Sequence, residues 1–97
     1  MEYKFSEKIW LYSGNGAWRF ISLPKNISTE IKQNFGQDSR GWGSIPVNVS
    51  IGKSNWKTSI FPDNKTDTYL LPLKLQIRQA ENLSEGDKPK TKITLLV

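Results

Sequence analysis

The sequence contains no histidine and no cysteine among its 97 residues. These absences exclude a Ser-His-Asp triad, a cysteine nucleophile, the usual zinc ligands and any disulfide bond. The nine acidic residues are scattered, and Asp63 and Asp67 form a near pair within a polar stretch. The segment that holds this pair lacks the glycine and glutamate of an EF-hand calcium loop, so we interpret it as a solvated turn. We therefore expect no enzymatic activity, no metal site and no other cofactor.

Long apolar runs are absent as well. No segment approaches the roughly 20 residues that cross a bilayer, and the N-terminus lacks the basic and apolar regions of a signal peptide. These features predict a cytoplasmic protein. Hydrophobic residues make up 36% and charged residues 24% of the chain, as is typical of one globular domain, which we assign to residues 1–97.

Alternating apolar and polar residues predict strands in several segments. A turn signal at residues 13–16 predicts that the first two strands form a hairpin. Pro46 cannot donate a hydrogen bond, so we expect its strand to lie at an edge or to carry a bulge there. The predicted strands cover residues 3–12, 17–23, 45–51, 56–61, 69–71 and 89–97.

Two helices are predicted from apolar residues spaced four apart, at residues 25–35 and 73–81. Leu-Pro precedes each helix, and the two prolines, Pro24 and Pro72, are separated by 48 residues, about half the chain. Each copy follows the order strand, Leu-Pro, helix, turn, strand. This pattern suggests two equivalent halves, which can close a barrel and remove its exposed edges. A coincidental repeat is the alternative.

Several motifs occur in the order found in one known family. WRFISLP at 18–24, GWGSIPV at 41–47, WKTSIFP at 56–62 and LPLK at 71–74, with Arg78, Gly86 and Asp87, resemble the bacterial and archaeal family catalogued as domain of unknown function 1905. The resemblance spans about residues 3–97. It implies a mainly β fold: a small closed or partly open double-split β-barrel of about six strands with two short helices. The half-repeat suggests that this barrel has two pseudo-symmetric halves.

The same resemblance extends distantly to AbrB-type transition-state regulators, in which two chains form one DNA-binding barrel. The half-repeat suggests that one chain forms the whole barrel here, and a monomer is favoured. No established activity accompanies the family name. The resemblance therefore supplies a fold and leaves the ligand or partner open.

The net charge of +5, from 14 basic and 9 acidic residues, would suit a nucleic-acid partner. However, the lysines are spread along the sequence, and alternation turns Lys90 and Lys92 toward water. A solvated surface is therefore the favoured interpretation. Lys74 and Arg78 share a helical face and form either an anion-binding pair or a solvated face. The candidate ligand-binding residues are Arg40, Trp42, Lys57, Lys74 and Arg78.

The four tryptophans fall into different settings. Trp18 and Trp56 lie within alternating strands and are predicted in the core. Trp10 faces away from its apolar neighbours, so it either covers a second hydrophobic layer or is exposed. Trp42 stands between two glycines and is the tryptophan best suited to bind a ligand, for instance by base stacking. The predicted core is Trp18, Ile45, Val47, Val49, Trp56, Ile60, Ile93 and Leu95, with Lys57, Lys90 and Lys92 exposed.

Three functions remain open. The leading hypothesis is a non-enzymatic β-barrel domain that binds an unidentified ligand or serves as a scaffold. The first alternative is a nucleic-acid-binding module, by analogy with the AbrB-type barrels. The second is a sensor of a small molecule or peptide, with a cleft near Trp42 and Trp56. A contiguous basic face would favour nucleic acid, whereas a deep aromatic pocket would favour a ligand.

Overall fold

A computed structural model of the chain describes residues 1–14, 18–39 and 41–97. Its strands are β1 (Glu2–Ser6), β2 (Ile9–Leu11), β3 (Arg19–Ser22), β4 (Ile45–Ile51), β5 (Ser54–Asp63), β6 (Thr68–Pro72) and β7 (Lys90–Leu95). Helix α1 (Lys25–Phe35) follows β3, and helix α2 (Leu75–Ala80) follows β6. Short 3-10 turns at Gly36–Asp38 and Gly41–Gly43 join α1 to β4. No helix within the described residues is long and apolar enough to span a bilayer.

Antiparallel pairing joins the strands in the order β1-β7-β4-β5-β6-β3-β2. Strands β1 and β2 stand at opposite ends of this order, yet only Glu7 and Lys8 separate them in the chain. Because three Cα–Cα steps span at most about 11 Å, the two edges of the curled sheet meet at this point. If β1 and β2 are counted as one bent strand, the sheet has six strands. This arrangement confirms the predicted mainly β, barrel-like fold with two short helices.

The predicted single strand over residues 3–12 is wrong in one respect, because it breaks at Glu7 and Lys8. Before the break the chain pairs with β7, and after it the chain pairs with β3. The Ile9 N–H donates to the Asp87 carbonyl at 3.0 Å, and the Gly86 N–H donates to the Ile9 carbonyl at 2.9 Å. The change of partner therefore coincides with a long-range contact that local alternation does not encode.

Strand β5 makes the same change of partner without a break. Residues 54–60 pair with β4, and residues 61–63 pair with β6. The sheet therefore has two parts. We define the first half-sheet as β1, β7, β4 and residues 54–60, and the second half-sheet as residues 61–63, β6, β3 and β2.

The repeat predicted from Leu-Pro is present with a different offset. Ile21 lies opposite Leu71, and on either side the Leu23 N–H donates to the Tyr69 carbonyl and the Leu73 N–H to the Arg19 carbonyl, each at 2.9 Å. Leu23 and Leu73 are 50 residues apart, and so are Arg19 and Tyr69. Exchanging the members of each pair therefore converts one hydrogen bond into the other. The N-cap residue of α1 is Pro24, and the N-cap residue of α2 is Lys74. The counterpart of Pro24 is therefore Lys74, and the 48-residue offset is wrong by two.

Strand β4 lies between β7 and β5, so the prediction of an edge or a bulge at Pro46 is wrong. The Pro46 carbonyl accepts the Leu96 N–H at 2.9 Å. In a strand, the nitrogen of a residue points to the same side as its carbonyl, so the Pro46 nitrogen faces the chain just beyond the end of β7. Its missing N–H consequently removes no bond between β4 and β5.

The barrel interior is filled by aliphatic side chains from both half-sheets, covered by Ile31 of α1 and Ile77 of α2. Seven of the eight predicted core residues are buried: Ile45, Val47, Val49, Trp56, Ile60, Ile93 and Leu95. Lys57 and Lys90 are exposed as predicted, and Lys92 is partly exposed. Trp18 is the exception, with 52% of its surface exposed. It shares the outward face of its strand with Phe20, while Ile21 and Leu23 point inward.

Candidate functional site

The outer face of the second half-sheet is apolar, although it does not face the barrel interior. Outward side chains of neighbouring strands lie directly opposite one another and form two rows. A sheet face turned away from the core is ordinarily polar, so these rows form a second hydrophobic layer. The first row is Trp10, Phe20 and Pro72, and the second is Ser22, Leu70 and Phe61.

Phe20 is the centre of an aromatic cluster on this face. The Trp18 ring stacks on it at a centroid distance of 6.1 Å and an interplanar angle of 10°. The Tyr12 ring meets it edge-on at 6.1 Å and 88°, and the Trp10 ring is tilted by 40° at 5.3 Å. Offset-stacked and edge-to-face contacts at these distances are the favourable geometries of aromatic pairs. The four rings therefore support one another in fixed orientations.

The Trp10 indole is held by a hydrogen bond. Its Nε1–H donates to the Ser22 hydroxyl at 2.9 Å. The indole nitrogen is the only polar atom of a tryptophan side chain, so this bond satisfies it within the protein. Trp10 consequently presents an apolar surface. The interpretation of Trp10 as part of a second hydrophobic layer is confirmed.

The aromatic cluster lines one side of an open groove with a volume of about 1050 Å³. Trp18, Tyr12 and Phe61 remain 52%, 48% and 39% exposed, so their rings are accessible to a ligand. Leu70 and Pro72 lie on the floor between them, and Asp63, Lys65 and Thr66 form one polar end. We name this feature the aromatic groove, with the lining Trp10, Leu11, Tyr12, Ser13, Trp18, Phe20, Ser22, Thr58, Phe61, Asp63, Lys65, Thr66, Leu70 and Pro72.

The groove lies across the pseudo-twofold axis of the barrel. The exchange that maps Ile21 onto Leu71 also maps Phe20 onto Leu70. Trp10 pairs with Phe20 and Phe61 pairs with Leu70, so Trp10 corresponds to Phe61, at an offset of 51 residues. Both halves of the molecule therefore contribute a large apolar side chain from the same positions. The aromatic groove is a product of the whole barrel and not of one hairpin.

The polar end of the groove is organised by a turn. The Asp63 carboxylate accepts the Lys65 N–H at 3.2 Å and the Thr66 hydroxyl at 2.8 Å. The Asp67 N–H donates to the Asp63 carbonyl at 2.9 Å, which agrees with the interpretation of this segment as a turn. Three metal-ligating side chains do not come together anywhere in residues 1–14, 18–39 and 41–97.

The residues proposed from the sequence as a binding site lie elsewhere. Arg40 falls outside the described residues. Trp42 is 93% exposed in a left-handed backbone conformation with φ of 64°, and it does not line the aromatic groove. Lys57 lies on the outer face of β5 opposite Asn48, and Lys74 is exposed at the start of α2. The cleft predicted near Trp42 and Trp56 is wrong for Trp56, which is buried in the core.

Arg78 is engaged in the fold. Its Nε–H donates to the Leu73 carbonyl at 3.1 Å, at the point where the chain leaves β6 for α2. The equivalent residue in the other half, Ser28, directs its hydroxyl to the Leu23 carbonyl at 3.5 Å. The spacing of Lys74 and Arg78 therefore does not by itself indicate an anion-binding pair.

Sequence reasoning missed the aromatic groove, although a signal for it is present. Aromatic residues occupy every second position on both sides of the predicted hairpin, Trp10 and Tyr12 before the turn and Trp18 and Phe20 after it. This spacing places all four on one face of the hairpin. Because the other face carries Ile9, Ile21 and Leu23, both faces are apolar, which indicates two layers.

Two tyrosines away from the groove have altered acidity. Burial and the neighbouring Glu30 carboxylate raise the pKa of Tyr3 to about 12. Burial also raises the pKa of Tyr69. Both phenols stay protonated at neutral pH, so neither can serve there as a general base.

The chain matches a known protein family over most of its length. The model of a family described as domain of unknown function (DUF1905) matches residues 5–93. A comparison with curated proteins found no match.

Proposed function

Since this chain belongs to the domain of unknown function (DUF1905) family, whose description assigns no activity, we propose a function from the geometry. The protein is a non-enzymatic binding module that takes a small planar aromatic molecule in the aromatic groove. The observation that carries the proposal is the accessible stack of Trp18 on Phe20 within an apolar groove on the outside of the barrel.

Leaving these rings exposed to water is unfavourable in free energy, and the fold does not require it. Apolar surface left in water forgoes about 25 cal/mol per Å² of burial free energy. The first half-sheet shows that the same barrel accepts a polar outer face, since serine, asparagine and lysine occupy its outward positions. A contiguous exposed apolar surface on such a protein is characteristic of a binding site.

The shape of the groove favours a planar ligand. One face of the Trp18 ring stacks on Phe20, and the half-exposed side chain leaves ring surface open to a further aromatic system. Ligand sites commonly measure about 300–1,000 Å³, and the volume of about 1050 Å³ suits a molecule of that class. The polar end around Lys65 and Thr66 provides groups that can orient a polar substituent.

The side chains of the groove support binding and not catalysis. Its ionisable groups are Tyr12, Asp63 and Lys65, and the Asp63 carboxylate is occupied by the turn that it organises. A general acid–base pair requires two groups with matched environments within reach of one substrate. Instead of such an acid–base pair, the groove offers aromatic rings on which a ligand can stack.

Binding of anilinonaphthalene sulfonate, an aromatic probe that carries a planar naphthalene ring, tests the proposal through the rise of its fluorescence. We expect saturable binding to the native protein and at least about tenfold weaker binding to Trp18→Ala, which corresponds to about 1.4 kcal/mol. Trp42→Ala is the matched control, because it removes an exposed tryptophan outside the groove, and its affinity should be unchanged. A cooperative unfolding transition that matches the native one would show that each variant keeps its fold.

The same titration distinguishes other occupants. Equal affinity of the native protein, Trp18→Ala and Trp42→Ala would overturn the proposal. Probe binding that falls as the protein concentration rises, with a matching increase in mass by light scattering, would show that a second copy of the chain covers the groove and would also contradict it.

A further inference from the structure

The first half-sheet carries a basic outer face on the other part of the barrel. Its outward residues alternate with the buried Tyr3, Val47, Val49, Trp56 and Ile93. Four of them are lysines and one is a glutamate, which gives the face a net charge of +3, against +5 for the whole chain. We name it the lysine face: Glu2, Lys4, Ser6, Pro46, Asn48, Ser50, Asn55, Lys57, Ser59, Lys90, Lys92 and Thr94.

The lysines are placed unfavourably for a surface whose only task is to be solvated. Lys4 lies directly opposite Lys92 in the β1–β7 ladder, and Lys90 lies two residues before Lys92 on the same face of β7. Like charges directly opposite each other destabilise a sheet. Serine or asparagine, which fill the neighbouring positions of β4, would avoid this repulsion.

Protection against aggregation explains only part of the pattern. Lysines on an exposed sheet edge prevent pairing with another chain, which applies to Lys4 on β1. Within the described residues Lys90 pairs only with β1 and Lys57 only with β4, so the same protection extends to these two lysines. Lys92 pairs with Lys4 on one side and Ser50 on the other, so its charge needs another explanation.

The positive charge of the face is little compensated. The Glu2 carboxylate lies 4.0 Å from the Lys92 ammonium, and both side chains are about half-exposed, so this ion pair contributes little. Neither Lys4 nor Lys90 has an acidic partner within the part of the chain that the structure describes. Attraction to an anion would relieve the repulsion between Lys4 and Lys92.

The lysine face also contains a shallow depression suited to oxyanions. It has a volume of about 380 Å³ and is lined by Lys4, Phe5, Ser6, Ser50, Lys90, Thr91 and Lys92. Ammonium groups and hydroxyls are the side-chain donors that contact phosphate oxygens in nucleic-acid complexes. No carboxylate is among the lining residues.

We propose that the lysine face binds the phosphodiester backbone of nucleic acid without base specificity. The four lysines lie on β1, β7 and β5. The distance from β1 to β5 across the sheet is about 14 Å at roughly 4.8 Å between strands, which is wide enough to meet several phosphates. Apart from the Pro46 ring and Phe5, which lines the depression, the face carries no aliphatic or aromatic side chain within the described residues, whereas attachment to a lipid surface uses apolar side chains beside the basic ones. The aromatic side chains that could stack on bases lie in the aromatic groove. The lysine face therefore recognises only the negative charge of the phosphodiester backbone.

Fluorescence anisotropy of a labelled DNA duplex of about 20 base pairs tests this proposal over a range of salt concentrations. Four neutralised phosphates predict a log–log slope of about −3.6, or about 150-fold weaker binding at 200 mM than at 50 mM salt. The variant Lys4→Gln/Lys92→Gln should bind more weakly at 50 mM salt, with a slope of about −1.8 and a loss of about 12-fold over the same range.

The matched control is Lys25→Gln/Lys32→Gln, which removes the same charge from exposed positions of α1 and should keep the native slope. An equal reduction in both double variants would contradict the proposal, because net charge alone would then explain binding. The absence of binding at about 50 mM salt, or binding only to phosphatidylserine vesicles, would also overturn it. Trp18→Ala should leave DNA binding unchanged, so this inference and the proposed function can fail separately.

Discussion

Ser28 and Arg78 occupy equivalent positions in the two halves of the barrel, 50 residues apart, and each donates to the carbonyl of the leucine that follows a strand. Ser28 directs its hydroxyl to Leu23, and Arg78 directs its Nε–H to Leu73. The two halves thus stabilise the same strand-to-helix junction with different side chains. The Ser28 hydroxyl also accepts the Tyr69 N–H at 3.1 Å, which ties α1 to β6.

Replacing Ser28 with alanine should destabilise the protein by about 1–3 kcal/mol, because the buried Tyr69 N–H loses its acceptor. Chemical denaturation measures this change in the free energy of unfolding. Ser6→Ala, at an exposed strand position, is the control and should stay within about 0.5 kcal/mol of the native protein. A loss of the same size in both variants would contradict the role of the Ser28 hydroxyl.

Arg78→Gln should lower the free energy of unfolding by about 1 kcal/mol, since its Nε–H bond to Leu73 is lost. It should leave the salt dependence of DNA binding unaltered, because Arg78 lies on α2 and not on the lysine face. Denaturation and anisotropy titrations on the same sample measure both quantities. A flatter salt slope with native stability would show instead that Arg78 binds anions.

Trp56→Ala should cost about 3–5 kcal/mol, because it removes a buried aromatic side chain from the barrel interior. Trp42→Ala should be nearly neutral, since the Trp42 side chain is 93% exposed. Thermal or urea unfolding of the two variants provides the comparison. A large loss from Trp42→Ala, or a negligible one from Trp56→Ala, would be incompatible with this core.

The stability of the protein should fall at alkaline pH through Tyr3. Its pKa is raised to about 12 in the folded protein, against about 10 in the unfolded chain, so the folded state holds this proton more tightly. The contribution is fully present below about pH 10 and is lost as the pH rises toward 12. Tyr3→Phe should therefore lose less stability than the native protein between about pH 9 and pH 11. Equal losses in denaturation experiments would contradict this assignment.

Much of the fold could be predicted from the sequence where one face of an element is apolar and the other polar. Strand β4 and helix α1 follow their predicted bounds for this reason. The break at Glu7 and Lys8 could not be predicted, because it depends on pairing with β7 and β3 and on the contact of Ile9 with Gly86 and Asp87. The prediction of Trp18 in the core is wrong because both faces of its strand carry apolar side chains, so alternation does not show which face points inward.

The aromatic groove could be predicted only in part. The alternating aromatics of β2 and β3 are local and indicate an apolar outer face. Phe61, Leu70 and Pro72 complete the groove through strand pairings between distant segments, which local alternation does not specify. The candidate Trp42 rests on its position between two glycines and Lys74 on its four-residue spacing from Arg78, and the structure places both away from the groove lining.

The most direct test of the aromatic groove uses the indole N–H signals of the four tryptophans in a two-dimensional ¹H–¹⁵N NMR spectrum, assigned by single replacement. Trp10 and Trp18 line the groove, whereas Trp42 and Trp56 do not. Titration with anilinonaphthalene sulfonate should shift the signals of Trp10 and Trp18 along one saturable binding curve and leave those of Trp42 and Trp56 in place. Shifts confined to Trp42 or Trp56, or no shift at saturating probe, would contradict binding in the aromatic groove.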